Sequence, residues 1–199
     1  MLFTYSPSSC KHHANPYRVV RYIKGTPNCG ICLQVQGKLS LVGYCDADWG
    51  AWPLTRRSLT GYFMTLGGSP ISWKTKKQAT ISHSSTKADY RSMVAATSEL
   101  VWLKSLLASL GVFHQHPMHL FCDNQAALHI ANNPVFHERT KHIEIDCHFV
   151  RQHLHSGDLA LPYIASNIQP ADIFTRALGT KQFQYLRSKL SMVNLHALT

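Results

Sequence analysis

The chain has 199 residues, a 45% hydrophobic fraction and a formal net charge of +10, from 20 Lys and Arg against 10 Asp and Glu. That length suits one domain of about 130–150 residues with flanking pieces, and that charge favours nucleic acid as a partner. No run of about 18 apolar residues exists to span a membrane, MLFTYSPSSCKHH lacks a signal-peptide pattern, and six scattered cysteines suit reduced, intracellular thiols.

In chain order, Asn15-Pro16 reads as a helix start, and PYRVVRYIKG runs as a short helix closed by Gly25. GTPNCGIC is a turn into a short strand. Its Cys29 and Cys32 form a CxxC, but no second pair at zinc spacing stands nearby. Strands are expected at 39–45, 60–66 and 70–75, the last two joined by a Gly67-Gly68 hairpin turn. Met93, Ala96, Leu100, Leu103, Leu107 and Leu110 then mark the core-facing stripe of a long helix over 86–110, ended by Gly111. MHLFC (118–122) is a fourth strand and NQAALHIAN a short helix. A helix is expected over 140–154 and a fifth strand at LALPYI. PADIFTRALG and KQFQYLRSKL read as closing helices. Three strands, a helix, a strand, helices, a strand and helices form a mixed α/β order.

Ten carboxylates are few enough to weigh singly. Glu99, Glu138, Glu144, Asp146 and Asp158 read as solvated charge on helices or in a turn. Four others stand at special places. Asp46 ends the first strand of LVGYCDADWG, Asp123 ends the fourth, Asp172 starts the segment after the fifth, and Asp89 lies on the apolar stripe of the long helix. Each has a plain alternative as a cap or turn residue: Asp46 in a turn, Asp89 in a capping box with Thr86, Asp123 and Asp172 at helix starts. Strand ends and a helix packed on the sheet can nevertheless converge. Carboxylates without basic partners attract hard cations such as Mg²⁺, and two such ions clamp a phosphodiester. Asp48, two residues beyond Asp46, is a weaker fifth candidate.

GYCDADWG, LTRRSLTGYFMTLGGSPISWKTKKQ, ISHSSTKADYRSM, ELVWLKSLLASLG, LFCDNQAALHIANNPVFHERTKHIEIDCHFVRQ and ADIFTRALG together resemble the C-terminal ribonuclease H region of Ty1/copia-type retrotransposon polyproteins, in versions typical of plant genomes. RVVRYIKGT is similar to the tail of the preceding reverse transcriptase region. The resemblance implies a reverse transcriptase remnant over 1–38 and a ribonuclease H-like domain over 39–195, with a mixed five-stranded sheet of order 3-2-1-4-5 flanked by helices. It implies cleavage of the RNA strand of RNA–DNA hybrids with two Mg²⁺ or Mn²⁺ ions. Its four metal carboxylates fall on Asp46, Asp89, Asp123 and Asp172. It also implies the polyprotein's reverse transcriptase region as a partner, no membrane, and a cytoplasmic, virus-like-particle or nuclear setting. The family usually reads AEY where this chain has Ala88-Asp89-Tyr90, so its glutamate is an aspartate here. Two readings stay open: a cleaving ribonuclease H, or a nucleic-acid-binding domain that does not cleave.

Lys74, Lys76 and Lys77, with Arg56 and Arg57 at lower odds, are expected to track phosphates. His137, His142, His148, His153 and His155 include no i,i+4 pair, which argues against zinc, and His142 is an auxiliary candidate for the acidic site.

Overall fold

The computed structural model describes residues 16–33, 38–133 and 141–194, without the side chains of 16–19 and 141–146. The first helix, α1 (Pro16–Gly25), forms as expected, and its proposed cap Asn15 lies outside the described residues. A short strand β1 (Cys29–Ile31) follows. The main sheet is built from β2 (Leu41–Asp48), β3 (Leu59–Leu66), β4 (Ser69–Lys77), β5 (Met118–Phe121) and β6 (Leu159–Ala160), in the order β4-β3-β2-β5-β6. Counted from β2, that is the expected order 3-2-1-4-5. β2, β3 and β4 are antiparallel, and β5 and β6 add on in parallel.

The β3–β4 hairpin turns on Gly67 and Gly68, both at positive φ (57° and 84°). A two-residue turn whose twist matches the strands needs that conformation at both positions. β3 lies inside the sheet and is buried on both faces, whereas β4 is the edge and exposes most of its residues beyond Pro70. Along β2 the side chains alternate. Leu41 and Cys45 join the core under the long helix α2 (Ser85–Ser109). Tyr44 turns to the opposite face, stacking near Phe63 and Phe121.

α2 begins at Ser84, whose hydroxyl accepts the Lys87 N–H, two residues before the Thr86 expected to start a capping box. Its buried stripe runs through Asp89, Met93, Ala96, Leu100 and Leu103, at spacings of four and three. Glu99 is not the solvated charge expected. It accepts the Tyr62 hydroxyl at 2.9 Å and the Ser72 hydroxyl at 2.7 Å, tying α2 to β3 and β4. Helices α3 (Gln125–Asn132) and α4 (Lys141–His155) carry the chain from β5 to β6.

Two expected elements shorten. LALPYI pairs as a strand only at Leu159–Ala160, because Pro162 has no N–H for the ladder. Contact with β5 resumes at the single Cys122–Tyr163 bridge. PADIFTRALG is not an α-helix but a 3-10 turn over Pro170–Phe174, pressed against the sheet with Pro170, Ala171, Asp172 and Ile173 all buried. A segment buried on every side follows the surface it packs on rather than a helical period. Helix α5 (Thr180–Lys189) covers that face. A last strand, β7 (Met192–Asn194), absent from the sequence expectation, pairs with β1. Residues 29–31 and 192–194 thus join across the boundary expected at 38/39. Among the described residues, no helix is long and apolar enough to cross a membrane.

Candidate metal centre

Asp46, Asp123 and Asp172 each place a carboxylate oxygen within 4.8 Å of the others. Asp46 arrives on β2, Asp123 just past β5 and Asp172 on the 3-10 turn, so three segments distant in sequence meet at one end of the sheet. Asp46 and Asp172 are buried, and Asp123 is half-buried beside an open cleft of about 650 Å³. Asp46, Asp48, Trp49, Asp89, Asp123 and Arg176 are among the residues lining that cleft.

The backbone that carries the cluster is pinned. The Ser92 hydroxyl donates to the Asp46 carbonyl at 2.7 Å. The buried Gln169 amide donates to the Cys45 carbonyl at 3.1 Å, fixing the start of the 3-10 turn to β2. Gly61 faces Asp46 across the β2–β3 ladder. A Cβ there would lie 2.5 Å from Thr175 Cγ2 and 3.2 Å from the Ala171 carbonyl, so only glycine lets the turn reach the sheet. Gly61→Ala is therefore expected to cost about 1–3 kcal/mol by overpacking. It should also lower divalent-ion affinity by displacing Asp172, which calorimetric titration with Mn²⁺ would detect. Wild-type affinity in a folded variant would show that the turn has room to move.

One side chain corrects the expectation of carboxylates without basic partners. Arg176 Nη2 donates to Asp46 Oδ1 at 2.9 Å and lies 3.4 Å from Asp172 Oδ1. The Thr175 hydroxyl donates to Asp46 Oδ2. Against desolvation, which alone lowers it, Asp46 and Asp172 raise the Arg176 pKa. The signal for Arg176 stands in the sequence, four residues after Asp172, but i,i+4 pairs are common and the partner that matters lies 130 residues away.

Asp89 behaves differently from the other three. Its Oδ1 accepts the Ala47 N–H at 3.0 Å, and its Oδ2 accepts the Asn124 amide at 2.7 Å. It thus ties α2 to the end of β2 and to the residue that caps α3. Asn124 was not singled out from the sequence. Burial, with Asp46 and Asp123 adding and the Asn124 and Ala47 donors opposing, pushes Asp89 up to about 7. Burial first and the Asp46 charge second push Asp172 up to about 7 as well, with Arg176 opposing. Asp48 shares the Asp46 face by strand alternation, and its pKa is raised by burial.

A carboxyl whose pKa is raised on folding holds its proton more tightly in the folded chain. The stability it contributes is full below the unfolded value of 3.8 and is lost as pH rises through about 7. Without divalent ions, the melting temperature should therefore fall more steeply with pH in this window for the native chain than for Asp172→Asn. The facing groups are Asp46, Asp89, Asp123 and Arg176. Equal slopes would remove Asp172 as a source of the dependence.

The expected basic residues divide. Tyr62 pairs with Lys74 and reaches Glu99 on α2, so Lys74 and Lys76 lie on the α2 face. Lys77 takes the other face, its Nζ 4.3 Å from the centre of the Trp52 ring. Trp52 belongs to the loop that carries Arg56 and Arg57 and leaves the Asp46 end of β2. His142 falls in the part of α4 whose side chains are not described.

The donor set suits a hard divalent cation: three clustered carboxylates, one of which, Asp172, has a buried Oδ1 with no hydrogen bond. Order of strands, crossing helices and acidic cluster together define a ribonuclease H-like domain. LC11-RNase H1, isolated from compost by a metagenomic approach, aligns with a TM-score of 0.52 at 13% identity, over 69% of this chain and 93% of that one. Its structure in complex with an RNA/DNA hybrid aligns at 0.50 and 11% identity, over 68% and 94%. At such identity the likeness shows the fold. By sequence the chain belongs with the copia-type retrotransposon Pol polyproteins. It is 43% identical over 178 residues to the retrovirus-related Pol polyprotein from transposon RE2 of Arabidopsis thaliana, covering 89% of this chain. It is 33% identical over 174 residues to that from transposon TNT 1-94 of Nicotiana tabacum, covering 87%. The chain spans 12% and 13% of the length of these relatives. No protein-family profile matches it.

Proposed function

We propose that the chain binds RNA–DNA hybrid and hydrolyses the RNA strand with divalent ions, Mg²⁺ or Mn²⁺, held by Asp46, Asp123 and Asp172. The observation that carries this reading is the convergence of those three carboxylates at one end of a ribonuclease H-like sheet. When bound, such ions activate water and stabilise charge developing on a phosphodiester. The residues of the chain supply position. β2 and Ser92 hold Asp46, Gln169 and Gly61 seat the turn that bears Asp172, and half-buried Asp123 presents its carboxylate to the cleft. Trp49 donates its indole N–H to the Ser82 carbonyl at 2.8 Å, which fixes an exposed ring at the rim where a sugar-phosphate backbone would lie. Lys77, Arg56 and Arg57 stand on the loop edge beyond it and suit phosphate contact. A hybrid would be recognised by its groove shape, 2′-hydroxyls and backbone rather than by base sequence.

One observation favours the reading without cleavage. Both Asp89 oxygens accept hydrogen bonds from within the protein, so a second ion would compete with Ala47 and Asn124 for that carboxylate. The two readings part in one assay. Hybrid labelled on the RNA strand should be cut in Mg²⁺ or Mn²⁺ and left intact in EDTA, with single-stranded RNA uncut. Retention of hybrid on a filter without any cutting would select the binding domain, and neither binding nor cutting would sink both.

A further inference from the structure

The acidic centre already holds a cation of its own. Arg176 bridges Asp46 and Asp172, two of the three carboxylates that face one another. Asp46 is 2% exposed, so its charge needs a partner wherever the site is otherwise empty. Both Asp46 oxygens already have donors, Arg176 on Oδ1 and Thr175 on Oδ2, so a divalent ion drawn to that carboxylate competes with the guanidinium. Arg176 is itself less confined, with 41% of its side chain exposed at the cleft. One more carboxylate belongs to the same cleft. Asp48 points to the Asp46 face and lines the cleft with Arg176.

We propose that Arg176 is a resident counter-ion that divalent metal displaces, and that Asp48 receives it. In the metal-free site the guanidinium pairs with Asp46 and Asp172. On metal loading it swings off Asp46 towards Asp48 at the cleft rim. The device keeps buried carboxylates from standing unpaired, at the expense of metal affinity. It rests on the reading of Asp46, Asp123 and Asp172 as the metal ligands, and it gives Asp48 a role that does not require it to touch metal.

The test is Mn²⁺ binding by calorimetry on the whole chain, with no nucleic acid present. Arg176→Met removes the charge but keeps the length, and should bind Mn²⁺ about tenfold more tightly than wild type, whereas Arg176→Lys should fall between them. The melting temperature of Arg176→Met should drop in EDTA, and saturating Mn²⁺ should raise it by more than in wild type. Asp48→Asn should weaken Mn²⁺ binding several-fold in the native background and hardly at all in the Arg176→Met background. Unchanged affinity in a folded Arg176→Met chain overturns the counter-ion role. An equal loss from Asp48→Asn in both backgrounds overturns the receiving role, because Asp48 would then act on the metal directly. Asp46→Asn is the control for the underlying site. If it binds Mn²⁺ as wild type does, the ligand assignment itself is wrong. If it loses binding while Arg176→Met equals wild type, only the counter-ion proposal fails.

Discussion

Asp123→Asn is expected to lower Mg²⁺-dependent cleavage of hybrid by about a thousandfold or more, since an ion's stabilisation of transition-state charge is worth several kcal/mol and each ~1.4 kcal/mol is tenfold. Asn keeps the shape of the side chain, so the fold should survive. Stability should even gain slightly without metal. The Asp123 charge pushes the pKa of both Asp89 and Asp172 upward, and its removal relieves that repulsion. The signature is therefore a metal-free melting temperature at or above wild type, combined with loss of the rise that Mg²⁺ produces. A variant that melts like wild type in both conditions and still cuts would show that Asp123 is not a ligand. One that unfolds in EDTA would show that the side chain is structural.

The opposite change is expected at Asp89. Replacing it by Glu should speed single-turnover cleavage on the order of a hundredfold, the scale of loss for a misplacement of about 1 Å. The structure supplies the reason. As aspartate, the side chain accepts from the Ala47 N–H and the Asn124 amide, and among the described residues Asp89 lies outside the cluster formed by Asp46, Asp123 and Asp172. One further methylene moves the carboxylate about 1.3 Å, a carbon–carbon step projected along the chain. Its helix position, on the stripe with Met93 and Ala96, already points to the sheet end. The Asn124 amide would lose its acceptor, a cost of about 1–3 kcal/mol if it stays buried and unpaired. Lower thermal stability should therefore accompany the faster cleavage. If Asp89→Glu is no faster and the native chain already cuts well, aspartate is a sufficient ligand and the Asn124 bond gives way on loading.

Much of the scaffold was legible because it is local. Short apolar runs placed β2 and β3, two adjacent glycines placed the hairpin, and a three-four spacing placed α2 to within a residue or two at each end. Fold order and family came from motif resemblance, not from periodicity, which is blind to how strands are ordered in a sheet. The elements that went astray were those whose shape is set by what they touch. Pro170–Phe174 packs on Gly61 and becomes a 3-10 turn, LALPYI loses its ladder at Pro162, and β7 exists only because β1 is there to pair with it.

The site divides along the same line. The sequence by itself determined which carboxylates stand at strand ends and on the core-facing stripe, because chain order and the 2.0 and 3.6 periods decide that locally. It also determined the excess of positive charge and the family. Only the tertiary structure decided which carboxylates meet, and that Asp89 spends its oxygens on Ala47 and Asn124 while Arg176 sits on Asp46. It alone split the lysines of β4 between two faces and drew Glu99 out of solvent onto Tyr62 and Ser72. Those are contacts between residues up to 130 positions apart. A hydrogen bond or ion pair depends on distances of a few tenths of an ångström. No periodicity along the chain encodes such distances; the packing of α2, the 3-10 turn and the strand ends against one another sets them.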